Sequence, residues 1–99
     1  MPTPMDIFKM KATSFREVLA SKKTSEKKGQ ISAAFATDFN KLIEEGKTIN
    51  PEMGSHFPEP IGFFDDGWGT INVQYIDYIH MEIMVHRIIG AIGLFEKNA

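Results

Sequence analysis

The stretch from residue 70 to residue 96, TINVQYIDYIHMEIMVHRIIGAIGLFE, constrains the fold more than any other part of the chain. It holds most of the large aliphatic side chains, it has no proline, and its first glycine is Gly90. Burial of apolar surface is the main force that drives folding, so a stable structure has to bury much of this segment. We therefore expect the other elements of the chain to pack around it.

The pattern of apolar residues in this segment fits a helix in some parts and a strand in others. Apolar and polar residues alternate over residues 70–75 and again over 80–86, as they do in a half-buried strand. A strand of about twenty residues would however be far longer than the usual 5–6, and no glycine or asparagine lies beside Asp77, where the alternation changes phase, to form a hairpin. Because Thr70 is also a suitable N-cap, we predict a helix over residues 70–95. A strand over 70–86 is the alternative.

Wound at about 100° per residue, this helix has two apolar arcs. The first consists of Tyr78, Met81, Val85, Ile88 and Ile92. The second consists of Ile76, Ile79, Ile83, Gly90 and Leu94. A helix that is apolar on two faces is buried on two faces, and we expect no membrane span because Asp77, Glu82 and Arg87 would lie in the hydrocarbon.

Two further helices are predicted to cover the first arc. Residues 4–22 begin with Thr3 and Pro4, which suit the N-cap and the first helical position, and continue with apolar residues at intervals of three and four. Residues 31–45 have a similar apolar stripe, and Gly46 is expected to end that helix in the left-handed conformation. The basic segment between the two helices, residues 21–29, is expected to be a solvated connector.

Residues 47–69 contain three prolines and four glycines, too many for a long helix. We expect an ordered loop in which Asn50 and Pro51 begin at most one short helical turn. A strand over 61–64 is conceivable, but no partner strand is evident. The loop also has five large apolar residues, Phe57, Ile61, Phe63, Phe64 and Trp68. We expect most of them to cover the ends of the helices, and the others to form a patch for a partner.

Composition excludes several classes of function. The chain has 99 residues, which suits a single domain, and a net charge of −2, which gives no general affinity for nucleic acid. It has no cysteine, so disulfides, thiol catalysis and thiolate metal sites are absent. The N-terminus lacks the apolar run of a signal peptide, and we expect a cytoplasmic protein.

Metal binding is the main chemical alternative. Glu82 and His86 are four residues apart and share a helical face, and His56 and Asp65 in the loop are candidates to complete a metal shell. Two ligands on one helix do not make a site, however, and no HExxH motif is present. The alternative function is accordingly a metal or small-ligand binding domain, possibly with enzymatic activity, in which His80, Glu82 and His86 would act together with the loop carboxylates. We expect no cofactor.

These observations together predict an all-α domain of three helices with a long aromatic, proline- and glycine-containing loop before the last one. Two covering helices cannot bury both arcs, so we expect a non-catalytic interaction or assembly protein. It would be a homodimer, or a small subunit or regulator of a larger complex. The candidate interface consists of Ile76, Ile79, Ile83, Gly90, Leu94, Phe63, Phe64 and Trp68. A nucleic-acid-associated regulator that uses the basic connector is a weaker alternative, because no aromatic residue is interleaved there for base stacking.

Overall fold

Helices dominate the computed structural model, which describes residues 2–65 and 67–97. The elements are α1 (Pro4–Ala20), α2 (Thr24–Lys27), α3 (Ala33–Ile49), α4 (Pro51–Gly54), β1 (Phe63–Asp65), β2 (Ile71–Val73) and α5 (Tyr78–Lys97). About 65% of the described residues are helical, and the two strands form a small antiparallel sheet. The predominantly helical architecture is as predicted, whereas the sheet is not.

The start of α1 follows directly from its sequence. The Thr3 hydroxyl accepts a hydrogen bond from the Asp6 backbone N–H at 3.1 Å, and the Asp6 carboxylate accepts one from the Thr3 backbone N–H at 3.0 Å. This reciprocal capping box satisfies N–H groups that have no partner within the helix. The hydrogen bond from the Thr3 backbone, and then the one with its side chain, lowers the pKa of Asp6 below that of an ordinary aspartate.

The predicted role of Gly46 is wrong. This residue does not end the helix but lies buried inside α3, three residues before its end. A Cβ atom at this position would lie 2.5 Å from Cε2 of Phe57 and 2.6 Å from Cζ of Phe8. Gly46 is therefore required by close packing between α3 and two aromatic rings, rather than by a left-handed backbone.

The helix α3 ends at Ile49 because of the proline that follows. Steric conflict with a proline ring disfavours the helical conformation for the preceding residue, and Asn50 is extended, with φ −151° and ψ 99°. The Asn50 side chain then accepts hydrogen bonds from the backbone N–H groups of Glu52 and Met53, both at 3.1 Å. Asn50 thereby starts α4, the one short turn that the sequence predicted.

The helix predicted from residue 70 begins only at Tyr78, and its first part is a strand. Residues of β2 pair antiparallel with β1, with Phe63 opposite Val73 and Asp65 opposite Ile71. The connecting turn contains Gly67 and Gly69, which have φ values of 84° and 85° that only glycine adopts readily. The strand alternative is therefore correct for residues 71–73 and wrong for the rest of the 70–86 stretch.

Asp77, and not Thr70, caps the last helix. Its carboxylate accepts a hydrogen bond from the backbone N–H of His80 at 2.7 Å, the usual contact of an N-cap aspartate with the third helical residue. The segment before α5 is fixed to the connector after α2, since the Ile31 N–H donates to the Ile76 carbonyl at 3.0 Å. These contacts determine where the strand-like segment ends and the helix begins.

The core lies where α1 contacts both α3 and α5, with α4 packed against α3 and α5. The fully buried large side chains are Phe8, Leu19, Phe39, Ile43, Met53, Met81, Val85, Ile88 and Ile92. Four of these belong to the first arc of α5. The prediction that this arc is covered by the other helices is thus confirmed.

Candidate interaction surface

The second arc of α5 is largely exposed. Ile79, Ile83 and Leu94 retain 41%, 56% and 49% of their accessible surface, and Gly90 is exposed as well. We call these four residues the α5 stripe. Ile76, the fifth predicted member, is only 9% exposed and belongs to the core, because it precedes the helix and does not follow the helical arc.

Two exposed polar side chains flank the middle of the α5 stripe. His86 and Arg87 are both exposed and lie at the middle of the stripe, between Ile83 and Gly90 along the helix. Glu82, the nearest acidic residue along α5, pairs with Lys27, whose Nζ lies 2.9 Å from the carboxylate. The α5 stripe is thus an apolar surface with an exposed arginine beside its middle.

The short helix α2 and its flanks hold the beginning of α5. Besides the ion pair of Lys27 and Glu82, the Lys22 ammonium group lies 4.4 Å from the centre of the Tyr78 ring, within the range of a cation–π contact. The basic connector is therefore used within the domain itself. It is partly helical and, as predicted, largely exposed to solvent, whereas its contacts with α5 were not predicted.

The hairpin formed by β1 and β2 exposes three of the five apolar loop residues. Phe63, Phe64 and Trp68 retain 41%, 54% and 91% of their surface, whereas Phe57 and Ile61 are buried. The prediction that most of the five cover the helix ends is therefore wrong for the hairpin. The reason is architectural, since Phe63 and Phe64 lie in β1, the strand of the two-stranded sheet that is exposed along its whole length.

Ile61 is held in the core by one side chain of α3. The Asn40 side-chain amide accepts a hydrogen bond from the Ile61 N–H at 2.7 Å and donates one to the Ile61 carbonyl at 2.9 Å. The Gln74 side chain similarly accepts a hydrogen bond from the Gly62 N–H at 3.1 Å. These contacts fix the backbone directly before β1, and they thereby position the hairpin that carries the exposed aromatic residues.

The predicted metal ligands are not brought together. Among the described residues, no group of three or more histidine, aspartate and glutamate side chains is placed to share a metal ion. Glu82 pairs with Lys27, Asp65 accepts a hydrogen bond from the Gly67 N–H at 2.8 Å, and the His56 ring lies 5.7 Å from that of Phe95. His86 is exposed on α5.

A groove between α1 and α3 was not predicted from the sequence. It has a volume of about 460 Å³, and the Lys11–Glu45 ion pair joins its two helices at 3.0 Å. Its lining includes Met10, Phe15, Val18, Phe35 and Leu42. The signal for it was the pair Met10 and Val18, apolar residues that lie off the core-facing stripe of α1 and are 61% and 51% exposed.

By length and composition alone, the segment Tyr78–Glu96 is also long and apolar enough to cross a membrane. One third of it (33%) is buried within the fold. The core helix of a soluble protein meets the same criteria, so this finding is weak evidence for a membrane span.

No protein-family model matches the chain, and no curated protein or solved structure matches it significantly. Its function has to be inferred from the residues and contacts described above.

Proposed function

We propose that this protein is a non-catalytic assembly module that associates with a second copy of itself through the α5 stripe. The observation that carries the proposal is the exposure of Ile79, Ile83 and Leu94 on a helix whose opposite arc supplies four fully buried core residues. Contiguous apolar surface of this kind marks interaction sites. A second copy is the simplest partner, because most soluble oligomers are formed by identical chains related by a two-fold axis.

The exposed surface sets the expected strength of this association. The exposed fractions of the three side chains together equal roughly one and a half whole side chains. At about 1.5–3 kcal/mol for each buried side chain, a two-fold interface gains about 4–9 kcal/mol from the two copies. Association itself costs about 4–15 kcal/mol, so the α5 stripe alone contributes at most about 5 kcal/mol net, which corresponds to dissociation in the upper micromolar to millimolar range. The aromatic residues of the hairpin would strengthen it if they were included.

We further propose that the domain is best classed as all-α, with the hairpin as an addition to a three-helix core, and that it acts in the cytoplasm. The core supports this classification, since its fully buried large side chains all belong to helices. A role as a small subunit of a larger complex would use the same stripe. This role is the second candidate function, because an apolar helix of a different protein could pack against the α5 stripe in place of a second copy.

Sedimentation equilibrium of two variants tests the proposal. Ile83→Glu places a charge in the α5 stripe, and Met10→Glu makes the same change on α1 at a residue of similar exposure, 61% against 56%. Over about 1 μM to 1 mM, the range in which weak complexes dissociate, the wild type and Met10→Glu should show a mass that rises towards the dimer. Ile83→Glu should remain a monomer.

Circular dichroism of both variants provides the control, since exposed substitutions usually change the free energy of unfolding by no more than about 0.5 kcal/mol. A wild type that stays monomeric over the whole range would contradict the proposal. Loss of association in Met10→Glu alone would move the interface to the groove between α1 and α3.

A further inference from the structure

The α5 stripe has an internal symmetry along the helix. Ile83 and Gly90 are equally far from the midpoint between His86 and Arg87, and Ile79 and Leu94 are equally far from it as well. We propose, on the basis of the self-association proposed above, that two copies of α5 pack antiparallel about a two-fold axis through this midpoint. In that arrangement Ile83 lies over the partner's Gly90, and Ile79 lies beside the partner's Leu94.

The shapes of the central residues favour this orientation. Ile83 projects from the helix with 56% of its surface exposed, whereas a Cβ atom at Gly90 would have no described atom within 4 Å. An antiparallel pair therefore places a large side chain over open backbone at two related positions, which lets the helices approach at or below the usual 8–10 Å. In a parallel pair Ile83 would lie opposite its own copy and Gly90 opposite its own copy. The two isoleucine side chains would then hold the helices apart, and a gap would be left between the two glycines.

The length of the stripe indicates how stable this pair would be. From Ile79 to Leu94 the helix rises about 22 Å at 1.5 Å per residue. A single pair of helices of this length buries less than the roughly 800 Å² per partner of a standard interface. The inferred dimer is therefore a weak one that forms and dissociates with concentration, and it leaves the hairpin and the groove between α1 and α3 accessible.

The charges at the axis modify the association. The two-fold axis places Arg87 beside its own copy, so two positive charges lie close together at the centre of the pair. Salt screens repulsion between exposed charges. Association through this axis should therefore become tighter as the salt concentration rises, the opposite of what an interface with ion pairs across it would show.

Disulfide formation between engineered cysteines tests the orientation, and the natural chain has no cysteine that would interfere. A disulfide requires Cα atoms within about 4.4–6.8 Å of each other. In the antiparallel pair position 83 of one copy comes that close to position 90 of the other, whereas each of these positions lies about 10 Å along the helix axis from its own copy. Equal amounts of Ile83→Cys and Gly90→Cys would be mixed, oxidised mildly and analysed by intact mass, which distinguishes all three possible dimers.

The mixed disulfide should exceed either symmetric one by about ten-fold, because only that pair meets the distance requirement. The pair Ile79→Cys and Leu94→Cys should behave in the same way and serves as a second test if one of the first variants does not fold. Met10→Cys on α1 is the control and should be cross-linked with any of them only at the statistical ratio.

Two results would overturn the inference. Predominance of the symmetric disulfides would indicate parallel helices, and a statistical mixture would indicate random collision. Sedimentation of the wild type separates the causes. If the wild type forms a dimer while symmetric disulfides predominate, the orientation is wrong and self-association stands. If the wild type is a monomer and the mixture is statistical, both proposals fail.

Discussion

Replacing Gly46 by alanine tests the packing at the centre of this fold. The new Cβ atom would lie 2.5, 2.6 and 2.8 Å from three carbon atoms of the Phe57 and Phe8 rings, about 1 Å closer than the optimal 3.5–4.0 Å separation of carbon atoms. The two rings are stacked on each other with centroids 5.8 Å apart, and Phe8 is completely buried. Neither ring can move away without disturbing the other.

The change in the free energy of unfolding that we expect for Gly46→Ala follows from two opposing effects. Alanine is favoured over glycine inside a helix by about 1 kcal/mol, whereas overpacking of a core costs about 1–3 kcal/mol. Because three contacts are too short and involve buried rings, we expect the upper part of that range. Gly46→Ala should therefore lower the free energy of unfolding by about 1–2 kcal/mol, which corresponds to roughly 5–15 °C in Tm for a domain of this size.

Gly93→Ala in α5 is the matched control. It is the same substitution inside a long helix, but a Cβ atom there would have no described atom within 4 Å. Only the helical preference remains, so this variant should be more stable by about 0.5–1 kcal/mol. Urea and thermal denaturation of both variants measure the difference. A Gly46→Ala protein as stable as the wild type, or more stable, would refute the assignment of Gly46 to close packing.

Three further predictions concern the contacts that position the elements. Asp77→Ala removes the N-cap of α5 and should lower the free energy of unfolding by about 0.5–2 kcal/mol in urea titration; an unchanged midpoint would show that the cap contributes nothing. Asn40→Leu leaves the N–H and the carbonyl of Ile61 without partners and should cost about 1–3 kcal/mol, with faster amide exchange at Ile61 as the specific readout. The pKa of Asp6 is lowered by its hydrogen bonds with Thr3, so the stabilising effect of Asp6 is complete above the ordinary aspartate pKa and is lost as the pH falls through the lowered value. Thr3→Ala removes the side-chain hydrogen bond and should raise the pKa of Asp6 in an NMR titration. An unshifted titration curve would contradict the capping box.

Elements with local signals could be predicted from the sequence. The cap of α1 depends on Thr3, Pro4 and Asp6, which are neighbours in the chain, and the short helix α4 depends on Asn50 and the proline after it. In both cases the residues that form the contact lie within one helical turn. The spacing that defines the α5 stripe is likewise local, which is why Ile79, Ile83 and Leu94 were identified as one face of a helix.

Elements that depend on distant contacts could not be predicted in the same way. The alternation in residues 71–75 was the correct signal for β2, but its partner β1 lies in a segment full of helix breakers, and the pairing depends on a turn with Gly67 and Gly69. Gly46 matched a local rule for helix ends, whereas the reason for it is the position of Phe8 and Phe57. Such tertiary contacts outweigh local preference.

The same distinction applies to the candidate surface. Ile76 was assigned to the interface because it continued the predicted helical arc. In the structure α5 begins at Tyr78, two residues after Ile76, so Ile76 does not follow that arc and lies in the core. Most of the five apolar loop residues were expected to cover the helix ends because large apolar residues are usually buried, although Phe63, Phe64 and Trp68 were also candidates for the interface. In the described part of the chain no further layer covers β1, and the composition of the segment does not indicate how many layers will cover it.

An NMR dilution series of the wild-type protein is the sharpest test of self-association through the α5 stripe, because it reports both that copies associate and which residues they use. Between millimolar and micromolar concentration, backbone amide shifts should change at Ile79, Ile83, Gly90 and Leu94 and follow a single dimerisation curve. The rest of the described chain should change little. Shifts that do not depend on concentration, or that change on α1 and α3 instead of α5, would contradict association through the α5 stripe.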